Sequence, residues 1–328
     1  MRVTTLVIII LVIALAGTIT FGVFYLTKED PIEKVRAIVP PVVEENNPPE
    51  FRFAFYGDAE KNVLLEKPLD AAVAGGKIYV TDSRNHRILV FDYNGKLVNA
   101  FGEDYLKTPY GVAVSGSRVY VSDAAASRIV IFNRDGKFEG YFEPKKEGKQ
   151  FHPRDKYAIA PVGDLQVKGG KIYVSLIKSD RVLVFDLKGN LQLEIGEAGV
   201  GAGEFRAPHG LAVDDEGNIY VADSGNNRIQ VFGPDGRYLK TLGGEEGQMG
   251  KLTTVRGVAL DQRGNIYAVM NLTNKVVVFG KDGKALFQFG SPGAEHGQLG
   301  LPNGIFIDSN GRIYVVEMGN HRVSVFGY

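Results

Sequence analysis

The chain is predicted to be an all-β protein, a six-bladed β-propeller of four-stranded antiparallel blades, on three observations. A strand–turn–strand phrase recurs with its tyrosine at Tyr79, Tyr120, Tyr173, Tyr220, Tyr267 and Tyr314, at steps of 41, 53, 47, 47 and 47 residues. Glycine-containing turns interrupt every copy at matching places, as tight hairpins require. The sixth copy is unfinished. In five repeats a closing position falls 23 residues after the tyrosine (Gly102, Glu143, Gly196, Gly243 and Gly290), and the sixth would fall beyond Tyr328. Periods of this length with strand-type patterning mark radially stacked sheets.

Residues 6–26 contain no charge, and at about 1.5 Å per residue 21 residues reach across the hydrocarbon core of a bilayer as a helix. Fourteen of them are Leu, Ile, Val or Phe. At roughly 0.3–0.6 kcal/mol each, they favour insertion by about 4–8 kcal/mol. Residues 1–27 are therefore expected to be a transmembrane signal-anchor helix. A cleaved signal peptide processed near Ala14–Gly17 is the competing reading. The short amino terminus should remain inside, giving a single-pass cell-membrane protein with its propeller on the extracytoplasmic side. Residues 28–50, with five prolines and mixed charge, should form a stiff solvated spacer.

The propeller is assigned to residues 51–328. Each repeat is expected to contribute an inner strand a, a strand b carrying the tyrosine, a strand c ending in Val-Phe or Ile-Phe, and an outer strand d. The last repeat lacks strand d. The segment FRFAFYG at 51–57 has the alternation of one, so it should pair beside Arg322–Phe326 and close the ring, removing an exposed edge.

The phrase VDDEGNIYVADSGNNRIQVFGPDG at 213–236 resembles the NHL repeat, and the lead-in GEAGVGAGEFRAPHG at 196–210 is similar to that family's inter-blade loop. The resemblance covers residues 51–328. It implies a six-bladed propeller and leaves activity open, because the family includes protein-binding, RNA-binding and lyase members.

Strand order places the long d-to-a loops and the b-to-c loops on one face, where loops on a rigid scaffold carry function. The residue after the lead-in proline should ring the channel mouth: Leu69, Tyr110, Val162, His209, Arg256 and Asn303. Tyr110, His209, Arg256 and Asn303 are the expected ligand contacts, by stacking, ion pairing and hydrogen bonding; the same ring could equally plug the channel. Family lyases hold a metal on several channel histidines. Here one of the six positions is histidine, so no metal site, no catalytic residue and no cofactor is expected. His86 and His321 occupy matched b-to-c turn positions and read as repeat consensus. Asp82, Asp123, Asp223 and Glu317 each precede an arginine by five residues, and paired bracing of the b-to-c turns explains them.

The 53-residue step expands the link between blades 2 and 3. Lys145, Lys146, Phe151, His152 and Arg154 make it a candidate rim loop for acidic or phosphate-bearing partners, or a plain solvated surface. Formal net charge is zero and the 38 cations are spread along the chain, which argues against nucleic acid. There is no cysteine, which removes disulfides and thiolate chemistry. The sequence thus reads as a binding propeller for a protein, peptide or glycan, rather than an enzyme. A metal-dependent lyase or lactone-type hydrolase acting at the channel is the alternative.

Overall fold

The computed structural model describes residues 47–150, 162–243 and 250–328, together with two strands near the amino terminus. The chain divides into two compact units, Met1–Val43 and Glu44–Tyr328. In the first, Ile8–Leu15 and Thr18–Tyr25 pair as an antiparallel hairpin, with Ile8 opposite Tyr25 and Leu15 opposite Thr18. The single helix expected over this run is not seen, and among the described residues no helix is long and apolar enough to cross a membrane. Ten of the 21 residues in 6–26 are β-branched, which lowers helix propensity and suits a strand. Residues 28–46 of the expected spacer lie outside the described residues.

The second unit is a six-bladed propeller. Blade 1 runs Pro68–Ala74, Lys77–Asp82, Arg87–Asp92 and Leu97–Phe101 as strands a to d, and each of the next four blades repeats this order as its own four-stranded antiparallel sheet. Blade 6 has strands Pro302–Ile307, Ile313–Glu317 and Arg322–Gly327. Its fourth strand is Glu50–Phe55, which lies antiparallel to Arg322–Gly327 with Phe51 opposite Phe326. The closure read from the unfinished sixth phrase is what the structure has.

The core is six wedges, one between each pair of neighbouring blades. The wedge between blades 1 and 2 packs Tyr79, Ile88 and Val90 against Val112, Val119 and Phe132. Phe55 and Phe91 meet at 4.6 Å in the wedge that joins blade 6 to blade 1. The strand-b tyrosines are buried in these wedges, Tyr79, Tyr267 and Tyr314 almost completely. This explains the repeat phase: a blade buries its faces only against its neighbours.

The acids at the end of strand b are fully buried braces. Asp82 accepts from Arg87 Nε at 2.8 Å and from the Glu66 amide at 2.6 Å. Asp223 accepts from Arg228 Nε at 2.8 Å and from the Arg206 amide at 2.8 Å. Glu317 does the same with Arg322 Nε at 2.8 Å and the Gly300 amide at 2.8 Å. Each acid therefore joins its b-to-c turn to the preceding d-to-a loop. Blade 2 departs from the expectation. Asp123 accepts from the amides of Lys107 and Thr108, while Arg128 lies 4.1 Å over the Tyr141 ring. His86 and His321 sit at φ 57° and 54°, where sister turns have Asn227 and Asn274 at 54° and 55°. Left-handed backbone favours Asn and His among non-glycine residues, so these histidines serve the turn.

Deleting residues 51–57 removes the closing strand and the Phe55 contacts. It is expected to lower the melting temperature by more than about 10 °C, against about 2 °C for deleting the exposed turn residues 59–62. Calorimetry that finds equal losses would overturn ring closure as the source of stability.

Candidate functional site

The six inner strands begin at Pro68, Pro109, Val162, Pro208, Val255 and Pro302. In every blade the pairing with strand b slips directly after this first residue. Such a bulge re-aims the residues within it. The bulge residues lie at the top of the channel: Leu69, Tyr110, Gly163, His209, Arg256 and Asn303. The blade 3 member is Gly163 rather than Val162. Val162 pairs with Leu176 as Pro208 pairs with Asp223, and it is completely buried.

The following position is glycine in four blades. A Cβ on Gly210 would lie 2.5 Å from the Arg256 carbonyl oxygen, and one on Gly257 would lie 2.6 Å from that of Asn303. Neighbouring inner strands approach this closely only without side chains there. Blades 1 and 3 carry Asp70 and Asp164 at this position instead.

Tyr110, His209 and Arg256 form one contiguous cluster from three blades. The Tyr110 hydroxyl lies 2.7 Å from His209 Nδ1, and Arg256 Nη1 lies 3.0 Å from the same nitrogen and close to Nε2. A guanidinium only donates, so the imidazole must keep a lone pair towards it. Burial, reinforced by the Arg256 charge, lowers the His209 pKa to about 3. Burial also pushes the Tyr110 phenol up to about 12, against the pull of Arg256 and Asn303. Arg256 is thus the one charge in the mouth ring, and its Nε is shut away without a hydrogen-bond partner. Asn303 donates from Nδ2 to the Leu69 carbonyl at 2.9 Å, tying blade 6 to blade 1.

The cavity at the mouth measures about 20 Å³, room for one or two waters and no more. Asp70, Asp164 and Gln166 line it together with Tyr110, Arg256 and Asn303. Asp70 Oδ2 accepts from the Val112 amide at 2.9 Å, and Asp164 Oδ2 accepts from the Leu211 amide at 2.8 Å, each reaching the next blade. Burial raises the Asp164 pKa to about 7, although the Leu211 and Leu165 amides pull the other way. Burial, followed by the proximity of Asp164, lifts Asp70 well above the usual carboxylate range. These two acids were not among the expected site residues. Their signal was an Asp where the other blades have Gly in the lead-in.

The mouth residues Tyr110, His209, Arg256 and Asn303 are therefore brought together, whereas the insert lies elsewhere. Lys145–Lys146 and Lys149–Gln150 form a small hairpin. The Lys145 amide donates to the Gly189 carbonyl at 2.7 Å, fixing the insert to the outer c-to-d turn of blade 3. Phe151, His152 and Arg154 lie outside the described residues. Among the described residues no group of three or more His, Cys, Asp or Glu is placed to hold a metal ion.

Comparison with known proteins agrees with this architecture. The NHL repeat model matches residues 65–91, 205–232 and 299–326, which fall in blades 1, 4 and 6, so the chain contains three NHL repeats. No curated protein matches the chain. Among solved structures, a gluconolactonase from Xanthomonas campestris is similar at 17% identity and TM-score 0.60, covering 86% of this chain and 95% of that one. A streptogramin B lyase is similar at 11% identity and TM-score 0.56, covering 84% and 97%. A chain of the nidogen/laminin complex is similar at 18% identity and TM-score 0.57, covering 70% and 82%. At these identities the likeness is one of fold.

An acid whose folded pKa lies above its unfolded value stabilises the fold below the unfolded pKa, and that stability is lost as pH rises through the folded pKa. For Asp164 the window runs from about 4 to about 7. Asp164→Asn is expected to raise the melting temperature by several degrees at pH 8 and to change it little at pH 4.5. A variant with the same effect at both values would show that the buried charge is not the cause.

Proposed function

We propose that this propeller binds a protein, peptide or glycan partner across its loop face and channel mouth, and is held at a membrane with that face outside the cytoplasm. The observation that carries the binding reading is a narrow axis beneath loops that expose large apolar side chains. A cavity of about 20 Å³ admits no sugar ring or amino-acid side chain. A partner must therefore rest on the mouth rather than enter it. Around that mouth Tyr56, Leu64, Tyr105, Val200, Leu272 and Leu301 are between 36% and 64% exposed, all on d-to-a or b-to-c loops. Large apolar side chains exposed on the loops of a rigid scaffold suit a protein or peptide partner better than a glycan. Arg256 supplies a half-buried charge at the mouth, suited to an anionic group of that partner.

Membrane attachment is supported by the uncharged residues 6–26. A two-stranded hairpin leaves its outer edges unpaired, and lipid cannot satisfy those backbone groups. In a bilayer the run would therefore take the helical form, with every backbone bond internal. The outward orientation follows from the short amino terminus.

One observation favours the alternative, a lyase or lactone-type hydrolase. Asp164, whose pKa burial raises to about 7, lines the same cavity as Arg256, and general acid–base groups often have such shifted values. The mouth would have to open for substrate to reach it. Metal analysis of the purified protein, with thermal shift on adding zinc or calcium, separates the two readings.

Arg256→Ala is expected to weaken a partner captured on the loop face by about tenfold or more, since a hydrogen bond to a charged group is at stake. Leu272→Ala should weaken it less. Calorimetric titration that finds unchanged affinity for Arg256→Ala would overturn the mouth as the contact.

A further inference from the structure

The face opposite the loops is electrically divided. It consists of the a-to-b turns and the c-to-d turns. In blades 1–3 the turn residues 74–77, 115–118, 168–171, 92–96, 133–137 and 186–190 hold eight Lys/Arg and three Asp. In blades 4–6 the residues 214–218, 261–265, 308–312, 233–237 and 280–284 hold five Lys/Arg and seven Asp/Glu. A chain of zero formal charge thus concentrates about five positive charges on half of one face.

Most of this charge is unspent. Arg118 and Lys168 are paired, with Glu139 and Asp215 at 2.8 and 2.7 Å. Lys77, Lys96, Lys137, Lys171 and Lys188 form no ion pair among the described residues. Asp92 and Asp186 spend their oxygens on the amides of their own turns, accepting from Lys96 and Asn190 at 3.0 and 2.9 Å. Those carboxylates cap turns and leave the ammonium groups to solvent.

The second observation is where the chain enters the propeller. Strand c of blade 6 runs from Arg322 at the loop face to Gly327 at the turn face. Glu50 lies opposite Gly327 and Phe55 opposite Val323. The segment before Glu50 therefore leaves the domain on the turn face. Its entry end packs on the blade 5 side, where Phe51 joins the wedge between blades 5 and 6 and the Tyr328 hydroxyl lies 3.2 Å from that of Tyr267. The tether and the basic sector thus share the turn face, on different blades.

We propose that the turn face of blades 1–3 is a docking surface for anionic phospholipid headgroups, laid against the bilayer so that the loop face points away from it. The orientation rests on the membrane attachment proposed above; the charge match does not. Each lysine near an anionic surface adds to the attraction, which is screened by salt within a Debye length. Neither the loop-face partner nor the channel residues take part.

The chain has no cysteine, so single-cysteine labels are clean. Full-length protein labelled at Ser117→Cys on the turn face, or at Leu272→Cys on the loop face, is reconstituted in two kinds of vesicle. One is phosphatidylcholine alone and the other contains phosphatidylglycerol, each with a headgroup quencher. Quenching is expected at residue 117 only, only with phosphatidylglycerol, and reversed by high salt. Lys96→Glu, Lys137→Glu and Lys188→Glu together should cut it about fivefold or more. Equal quenching at both labels, quenching indifferent to anionic lipid, or an unaffected triple variant would overturn the docking surface. Flotation separates this from the anchor. Protein that fails to float with phosphatidylcholine yet binds phosphatidylglycerol vesicles in a salt-sensitive way would sink the amino-terminal attachment and support the surface.

Discussion

The last blade has only three strands after Pro302, and everything else in the propeller depends on the fourth that reaches it from the other end of the sequence. A blade alone cannot bury both faces of its sheet, so each of the six wedges needs an intact neighbour on either side. Without Glu50–Phe55, Phe326 and Val325 would face water along an unpaired strand edge. The wedge that holds Phe55 and Phe91 would lose its packing, and with it the contact that locks blade 6 to blade 1. The first and last segments of the domain are thus one structural element. Arg322 shows how tightly it is held. It is almost fully buried, pairs with Glu317, and donates to the Tyr56 hydroxyl and to the carbonyls of Ala294 and Gln298.

The fold was legible because every structural duty is performed several times. The need for a wedge-filling aromatic leaves a tyrosine in each strand b, and the need to tie turn to loop leaves an acid with an arginine five residues on. A left-handed residue in the b-to-c turn leaves Asn or His. Repetition turns each requirement into a period. The amino-terminal run had no such redundancy. Its apolar character was plain, but apolar character does not choose between helix and strand, and ten β-branched residues weigh towards strand.

The site was only partly legible, because function lies in single departures from the repeat. Tyr110, His209, Arg256 and Asn303 differ from one another at one repeat position, and that variation was enough to bring them forward. Blade 3 was misread because its lead-in proline, Pro161, stands one residue out of step with the bulge, which starts at Val162. Asp70 and Asp164 were passed over because an acid in a turn-rich sequence reads as solvated. Only the Cβ distances at their glycine counterparts show how enclosed the position is.

The inner ring also has a polarity that the repeat hides. In blades 1–3 strand b carries Thr81, Ser122 and Ser175, whose hydroxyls accept from the bulge amides of Asp70, Gly111 and Asp164 at 2.9, 2.8 and 3.0 Å. They donate in turn to the carbonyls of Tyr110, Gly163 and His209 in the following blades, at 3.2, 2.8 and 2.5 Å. In blades 5 and 6 the matching residues are Val269 and Val316, and the bulge is shorter, with Gly257 pairing directly to Val269 and Gly304 to Val316. In blades 1–3 a hydroxyl thus meets the extra amide of the longer bulge, whereas blade 4 has the longer bulge with Ala222 at that place. Blades 1 to 4 share the longer bulge, and in blades 1 and 3 it carries Asp70 and Asp164. A bulge stabilised by a side-chain hydroxyl tolerates a buried acid beside it, because the backbone amides freed from the ladder become donors to its carboxylate. The acid pair is a consequence of that local geometry before it is anything functional. Its cost to stability near neutral pH is the reason to look for its use at the mouth.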